Sequence, residues 1–176
     1  MVTRSFPRSL GLCLPVLLAA CVSVVSGQDA RTVILVRHAE RAGGTSPDVG
    51  IGQAGRCRAE ALAAILADAG VTHIFTSEVG RTQQTAAPLA KRLNLKPEVV
   101  PAKDTDALVA KLRSSSPDGG AALVVGHSNT VPEIIERLGA PAVEPLGDAE
   151  YDRLFVVTLI GPTQATVVTL RYKGCA

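Results

Sequence analysis

The stretch TVILVRHAE, Thr32 to Glu40, sets four apolar residues directly before an Arg-His pair. An uninterrupted apolar run of this kind predicts a strand covered on both faces, as in a parallel sheet packed between helices. The pair Arg37-His38 then falls at the carboxyl edge of that sheet, which is where open α/β sheets bind their ligands. The chain spends one of only three histidines there.

Outward from this strand the pattern alternates. QAGRCRAEALAAILADAG, from Gln53, carries helical apolar spacing and stops at Gly70, and VTHIFTS (Val71 to Ser77) reads as a second strand. GRTQQTAAPLAKRLNL (Gly80 to Leu95) and TDALVAKLRSS predict two more helices, the latter capped by Asp104 or Thr105. AALVVGH (Ala121 to His127) repeats the motif of an apolar run followed by His, and a helix from Thr130 to Leu138 has Pro132 in its first turn. RLFVVTLI and ATVVTLRY close the chain as strands around the turn GPTQ. The order predicts an α/β three-layer sandwich: a mostly parallel central sheet, helices on both faces, and a C-terminal β-hairpin.

Length and composition fit one domain, over residues 28–176. Aromatic residues are 3% of the chain and Trp is absent, which argues against stacking platforms for single-stranded nucleic acid. The formal charge of +2 comes from Arg4 and Arg8 at the N-terminus, leaving 16 basic and 16 acidic residues beyond it and no basic footprint for nucleic acid. Those two arginines precede the apolar run Leu10 to Ser26, so residues 1–27 read as an export signal. Either LAAC acts as a lipobox and Cys21 becomes a lipid anchor, or cleavage near VSGQ releases a soluble protein; both outcomes put it outside the cytoplasm, as a periplasmic, envelope-anchored or secreted protein. In such a compartment Cys57 and Cys175 are able to pair, the alternative being two free thiols. No His or Cys cluster has the spacing of a metal site, and no cofactor motif is present.

The strand ends bring together Arg37, His38 and His127, and Arg81 opens the helix after the second strand. A phosphate monoester is a dianion, so a nucleophile approaches only once its oxygens are held, and the planar, always charged guanidinium does this. A neutral imidazole is a nucleophile near pH 7 when its other nitrogen is tied to a carbonyl. Two arginines supply the charge that a metal supplies elsewhere.

With VRHAE, TSEVGRTQQTA and VVGHSNT in this order, the chain resembles the histidine phosphatase superfamily, also called phosphoglycerate mutase-like. The resemblance implies that His38 is the phosphorylated nucleophile, Arg37 and Arg81 are phosphate clamps and His127 is the second histidine. It implies a metal-independent phosphomonoester hydrolase acting on a phosphorylated small molecule or a phosphopeptide. A mutase is disfavoured because the segment between Arg81 and His127 is short and lacks an ERxYG-like piece. An exported protein that binds or senses a phospho-ligand through the same pocket is the alternative.

The general acid is the weak point of the match. Asp106 is the expected donor, with Asp104, Glu78 and Glu40 as other candidates; Asp104 also suits a helix cap and Asp106 a first-turn acid. Arg41 is expected at the pocket rim or in a solvated loop. His73 lies inside its strand and reads as structural, while Ser128 and Asn129 follow His127 and suit either phosphate contact or capping.

Overall fold

The computed structural model describes residues 1, 31–44, 46, 49–114 and 120–174. Residues 2–27 of the expected leader, Cys21 among them, and Cys175 lie outside the described residues. The elements run β1 (Arg31–Arg37), α1 (Gln53–Ile65), β2 (Val71–Thr76), α2 (Gly80–Leu93), β3 (Glu98–Val99), α3 (Thr105–Ser114), β4 (Ala121–Gly126), α4 (Thr130–Arg137), β5 (Arg153–Ile160) and β6 (Gln164–Arg171).

One six-stranded sheet has the order β3-β2-β4-β1-β5-β6. β1 pairs parallel with β4, β4 with β2 and β2 with β3, while β5 and β6 add an antiparallel hairpin beside β1. Alternation along β1 divides the core. Val33 and Leu35 pack with Leu108, Leu112, Ile134 and Ile135 of α3 and α4, whereas Ile34 and Val36 pack with Leu62, Ala63, Ala86 and Leu89 of α1 and α2. Both faces of the strand are thus used, which is why it reads as continuous apolar sequence rather than alternating.

This division also creates the crevice. The chain leaves β1 toward the α1–α2 layer and leaves its neighbour β4 toward α4 on the opposite layer. Adjacent parallel strands whose connections diverge in this way form the topological switch point, where α/β sheets hold ligands. The His38 amide donates to the Gly126 carbonyl at 2.9 Å and so carries the β1–β4 pairing one residue past the strand. α1 packs close against the loop that follows: a Cβ on Gly55 would lie 2.3 Å from the Glu40 carbonyl oxygen.

α1 ends at Ile65 rather than running on to Gly70; residues 66–70 form a turn in which Gly70 takes a φ of +67°. α2 contains Pro88 in its interior and closes on Asn94 in the left-handed region. β6 is the edge of the sheet, and its Val168 and Leu170 are about half exposed.

Candidate active site

His38 is buried, with 5% of its surface exposed. Its Nδ1 lies 2.8 Å from the Ala39 carbonyl oxygen. A carbonyl only accepts, so Nδ1 carries the hydrogen and the neutral ring keeps Nε2 bare. The Ala39 amide donates to Thr85 Oγ1 at 2.9 Å, and the Thr85 hydroxyl donates to the Arg81 carbonyl at 2.8 Å. The strand end carrying His38 is therefore fastened to α2. Burial lowers the pKa of His38 to about 4; the Ala39 carbonyl opposes this, while the charges of Arg81, His127 and Arg37 reinforce it. At neutral pH the ring is uncharged and able to attack.

Arg37 uses Nη1 to hold three carbonyls of the loop before β5, those of Gly147 (2.9 Å), Asp148 (3.0 Å) and Glu150 (3.2 Å). Its guanidinium carbon sits 4.2 Å from the centre of the Tyr151 ring, and that ring is 6.1 Å from the imidazole of His38. The Nε of Arg37 is buried and has no hydrogen-bond partner among the described residues. Arg81, in the first turn of α2, donates from Nη1 to the Val49 carbonyl at 3.2 Å, and its charge reaches both histidines.

His127 follows β4, and its ring meets that of His38 edge to face at 5.5 Å. Its amide donates to Thr130 Oγ1 at the start of α4, and its Nε2 lies 2.9 Å from Ser77 Oγ. Burial lowers its pKa, with Arg81 adding to the effect; Glu78 pulls the other way and Arg37 again lowers it. The Glu78 carboxylate accepts the Ala102 amide at 2.8 Å, a bond that lowers its own pKa.

Asp106 is a correction to the sequence reading. Its side chain is 83% exposed and ion-paired with Arg137 on α4, so its place at the start of α3 serves an interhelical contact. Asp104 caps α3 by accepting the Ala107 amide at 3.2 Å. Glu40 is gripped by Arg58, from Nε at 2.9 and 3.0 Å and from Nη2 at 2.7 Å. Of the carboxylates named from sequence, Glu78 is the one whose charge His127 feels. Arg41 is exposed, and its Nη2 donates to the carbonyls of Gly44 and Ser46 in its own loop. His73 lies on the exposed part of β2, stacked on Phe75 and 3.0 Å from Thr72 Oγ1. Among the described residues, no group of three or more His, Cys, Asp or Glu is placed to hold a metal ion.

Three residues escape the sequence reading: Ser77, Thr85 and Tyr151. The usable signal is the spacing RTQQT, which puts Thr82 and Thr85 on one side of α2 one turn apart. Both are fully buried, and a buried hydroxyl needs a partner.

The family model described as Histidine phosphatase superfamily (branch 1) matches residues 33–107. Over that segment, which is less than half of its length, the chain resembles that superfamily. A PE-PGRS family protein of Mycobacterium tuberculosis is 36% identical over 85 residues, which take in 43% of this chain; the chain spans only 15% of that protein's length. The protein histidine phosphatase SixA, solved in complex with tungstate, superposes with a TM-score of 0.67 at 22% identity, over 80% of this chain and 96% of that one. The mycobacterial glucosyl-3-phosphoglycerate phosphatase, solved with inorganic phosphate, gives 0.66 at 17% identity, over 82% of this chain and 98% of that one. At these identities the likeness is one of fold.

Proposed function

We propose that the protein hydrolyses phosphomonoesters through a phosphohistidine on His38, without a metal. The observation that carries this reading is the state of His38: buried, uncharged, held through Nδ1 so that Nε2 is left bare, with its ring beside that of His127 and within the field of Arg81 and Arg37. Arg37 and Arg81 neutralise the dianion, and the buried Nε–H of Arg37 gives a phosphate oxygen a donor. Nε2 attacks phosphorus, the ester P–O bond breaks, and the leaving oxygen takes a proton; water then cleaves the P–N bond and restores His38. The tungstate and phosphate held by the two structural relatives support an oxyanion pocket in this fold.

The substrate class is a phosphorylated small molecule or phosphopeptide with a good leaving group. Among the described residues no Asp or Glu is buried beside the histidines, so little assistance is offered to a basic alkoxide. The same observation supports a second reading, a phospho-ligand binding or sensing protein with little turnover. Activated aryl phosphate separates the two. Turnover with an acid-labile, base-stable phosphoenzyme, lost on His38→Ala while the fold is kept, is the expected result. Wild-type turnover in His38→Ala would exclude His38 as the nucleophile.

A further inference from the structure

A short chain of hydroxyls links α2 to His127. Ser77 Oγ lies 2.9 Å from His127 Nε2 and 3.0 Å from Thr82 Oγ1, and it accepts the Val79 amide at 3.2 Å. Thr82 Oγ1 in turn lies 2.8 Å from the Val79 carbonyl and accepts the Ser77 amide at 3.1 Å. The contacts from His127 to Ser77, from Ser77 to Thr82 and from Thr82 to the Val79 carbonyl each need one hydrogen.

Only one assignment supplies all of them. Thr82 Oγ1 also lies 3.2 Å from the Ser77 carbonyl, and since neither carbonyl can donate, the single Thr82 hydrogen goes to a carbonyl, the nearer being that of Val79. Thr82 Oγ1 is then an acceptor, and the Ser77 hydrogen must point at it. Ser77 Oγ is in turn an acceptor toward His127, whose Nε2 therefore carries a hydrogen. The reverse direction would leave the 2.8 Å contact between Thr82 Oγ1 and the Val79 carbonyl with two oxygens and no hydrogen between them.

We propose that Thr82 and Ser77 form a directional hydroxyl relay that fixes His127 as the Nε2–H tautomer and leaves Nδ1 as the nitrogen offered to the substrate. The inference rests on reading the pocket as a phosphotransfer site. It assigns Thr82 as a positioning residue that never touches the substrate. The two histidines then sit in opposite tautomers, Nδ1–H for His38, set by the Ala39 carbonyl, and Nε2–H for His127, set from α2 through Thr82 and Ser77. His127 enters the reaction with a free base at Nδ1, able to take up a proton and hold it against a phosphate oxygen. The groups facing it are Arg81 on α2, Arg37 at the end of β1, His38, and Glu78 after β2; burial, with the arginines adding to it, keeps it neutral before phosphate arrives.

The test is nitrogen NMR of histidine-labelled protein, in which only three imidazoles must be assigned. At about pH 8, where a ring with a lowered pKa is neutral, His127 should show a pyrrole-type Nε2 and a pyridine-type Nδ1, with His38 the reverse. A protonated Nδ1 on His127 would overturn the relay. Thr82→Val removes the acceptor for the Ser77 hydrogen, which then turns to Nε2; the tautomer of His127 should switch and kcat on an aryl phosphate should fall on the order of 10²-fold, more than KM changes. Thr82→Ser should restore both. A Thr82→Val protein that keeps the Nε2–H tautomer refutes the relay. If that variant does not fold, Ser77→Ala serves instead: it should turn the single tautomer into a mixture, and a pure Nε2–H ring in it refutes the relay equally. The tautomers are read without substrate, so a wild-type protein that fails to turn over would strike the phosphatase reading alone.

Discussion

The nucleophile proposed at His38 needs a neutral ring, and the burial that keeps the ring neutral makes folding sensitive to acid. An unfolded His takes its proton near pH 6.5, whereas folded His38 resists protonation until about pH 4. Between those values the unfolded state binds the extra proton, so stability falls as the pH is lowered through this window and is fully present above it. Denaturant titrations of wild type and His38→Gln at pH 7 and pH 4.5 should show wild type losing on the order of 2 kcal/mol more, after allowing for water at the pocket mouth. Equal losses would mean that the ring is solvated. Asp106→Asn, by contrast, removes only an exposed ion pair; the expected stability change is about 0–1 kcal/mol, with alkyl and aryl phosphate turnover both unchanged. A selective loss on alkyl phosphates would return Asp106 to the pocket. That Arg37, His38, Arg81 and His127 converge was legible because polar side chains that end two parallel strands, or open the helix after a third, meet at one sheet edge. The fate of Asp106 was not, because its partner Arg137 is 31 residues away on another helix and leaves no periodic trace.

At the scale of elements, the loop between β1 and α1 is held by Arg58, which grips Glu40 and also donates from Nη1 to the Tyr172 carbonyl at 3.1 Å. Its guanidinium joins α1 to the strand end that carries His38 and to the segment after β6. Arg58→Ala should cost roughly 1–3 kcal/mol, as expected when a partly buried charged partner is left unpaired, read as a lower urea midpoint. A shift within error would show that the pair is fully solvated. The strands and helices followed the sequence closely where an element covers a core face. They departed at residues 66–70, where helix-forming residues such as Leu66 and Ala69 form a turn before β2 although Leu66 still packs in the core. The relay through Ser77 and Thr82 was hidden for a related reason, since a threonine in a first helical turn also suits capping and packing.

For the whole molecule, the proposed mechanism draws the charge that stabilises transferring phosphate from arginine, so activity should persist in excess chelator; loss of activity restored by Mg²⁺ or Zn²⁺ would point to another mechanism. Cys57 is disulfide-bonded. Cys175, the partner expected from sequence, lies outside the described residues. Reduction should lower stability by roughly 2–5 kcal/mol, measured by denaturation with and without reductant, and an unchanged midpoint would remove the bond from the stability account. Processing of the N-terminal segment is decided by the mass of the protein recovered from its own envelope: an acylated Cys21 at the new terminus supports a lipid anchor, and an unmodified start near Gln28 excludes one.

The sheet finishes on β6, eight residues with no proline and no charge before Arg171, whose Val168 and Leu170 are about half exposed. Among the described residues no strand pairs with its outer row of amides and carbonyls, and proteins usually blunt such a margin with lysine, proline or a bulge. At the concentrations of overexpression this rail invites strand-to-strand adhesion between molecules, far from the chemistry and indifferent to it. Val168→Lys should raise the concentration at which light scattering stays monodisperse without altering kcat. The same exposed rail would set how far the protein can be concentrated before it stacks on itself.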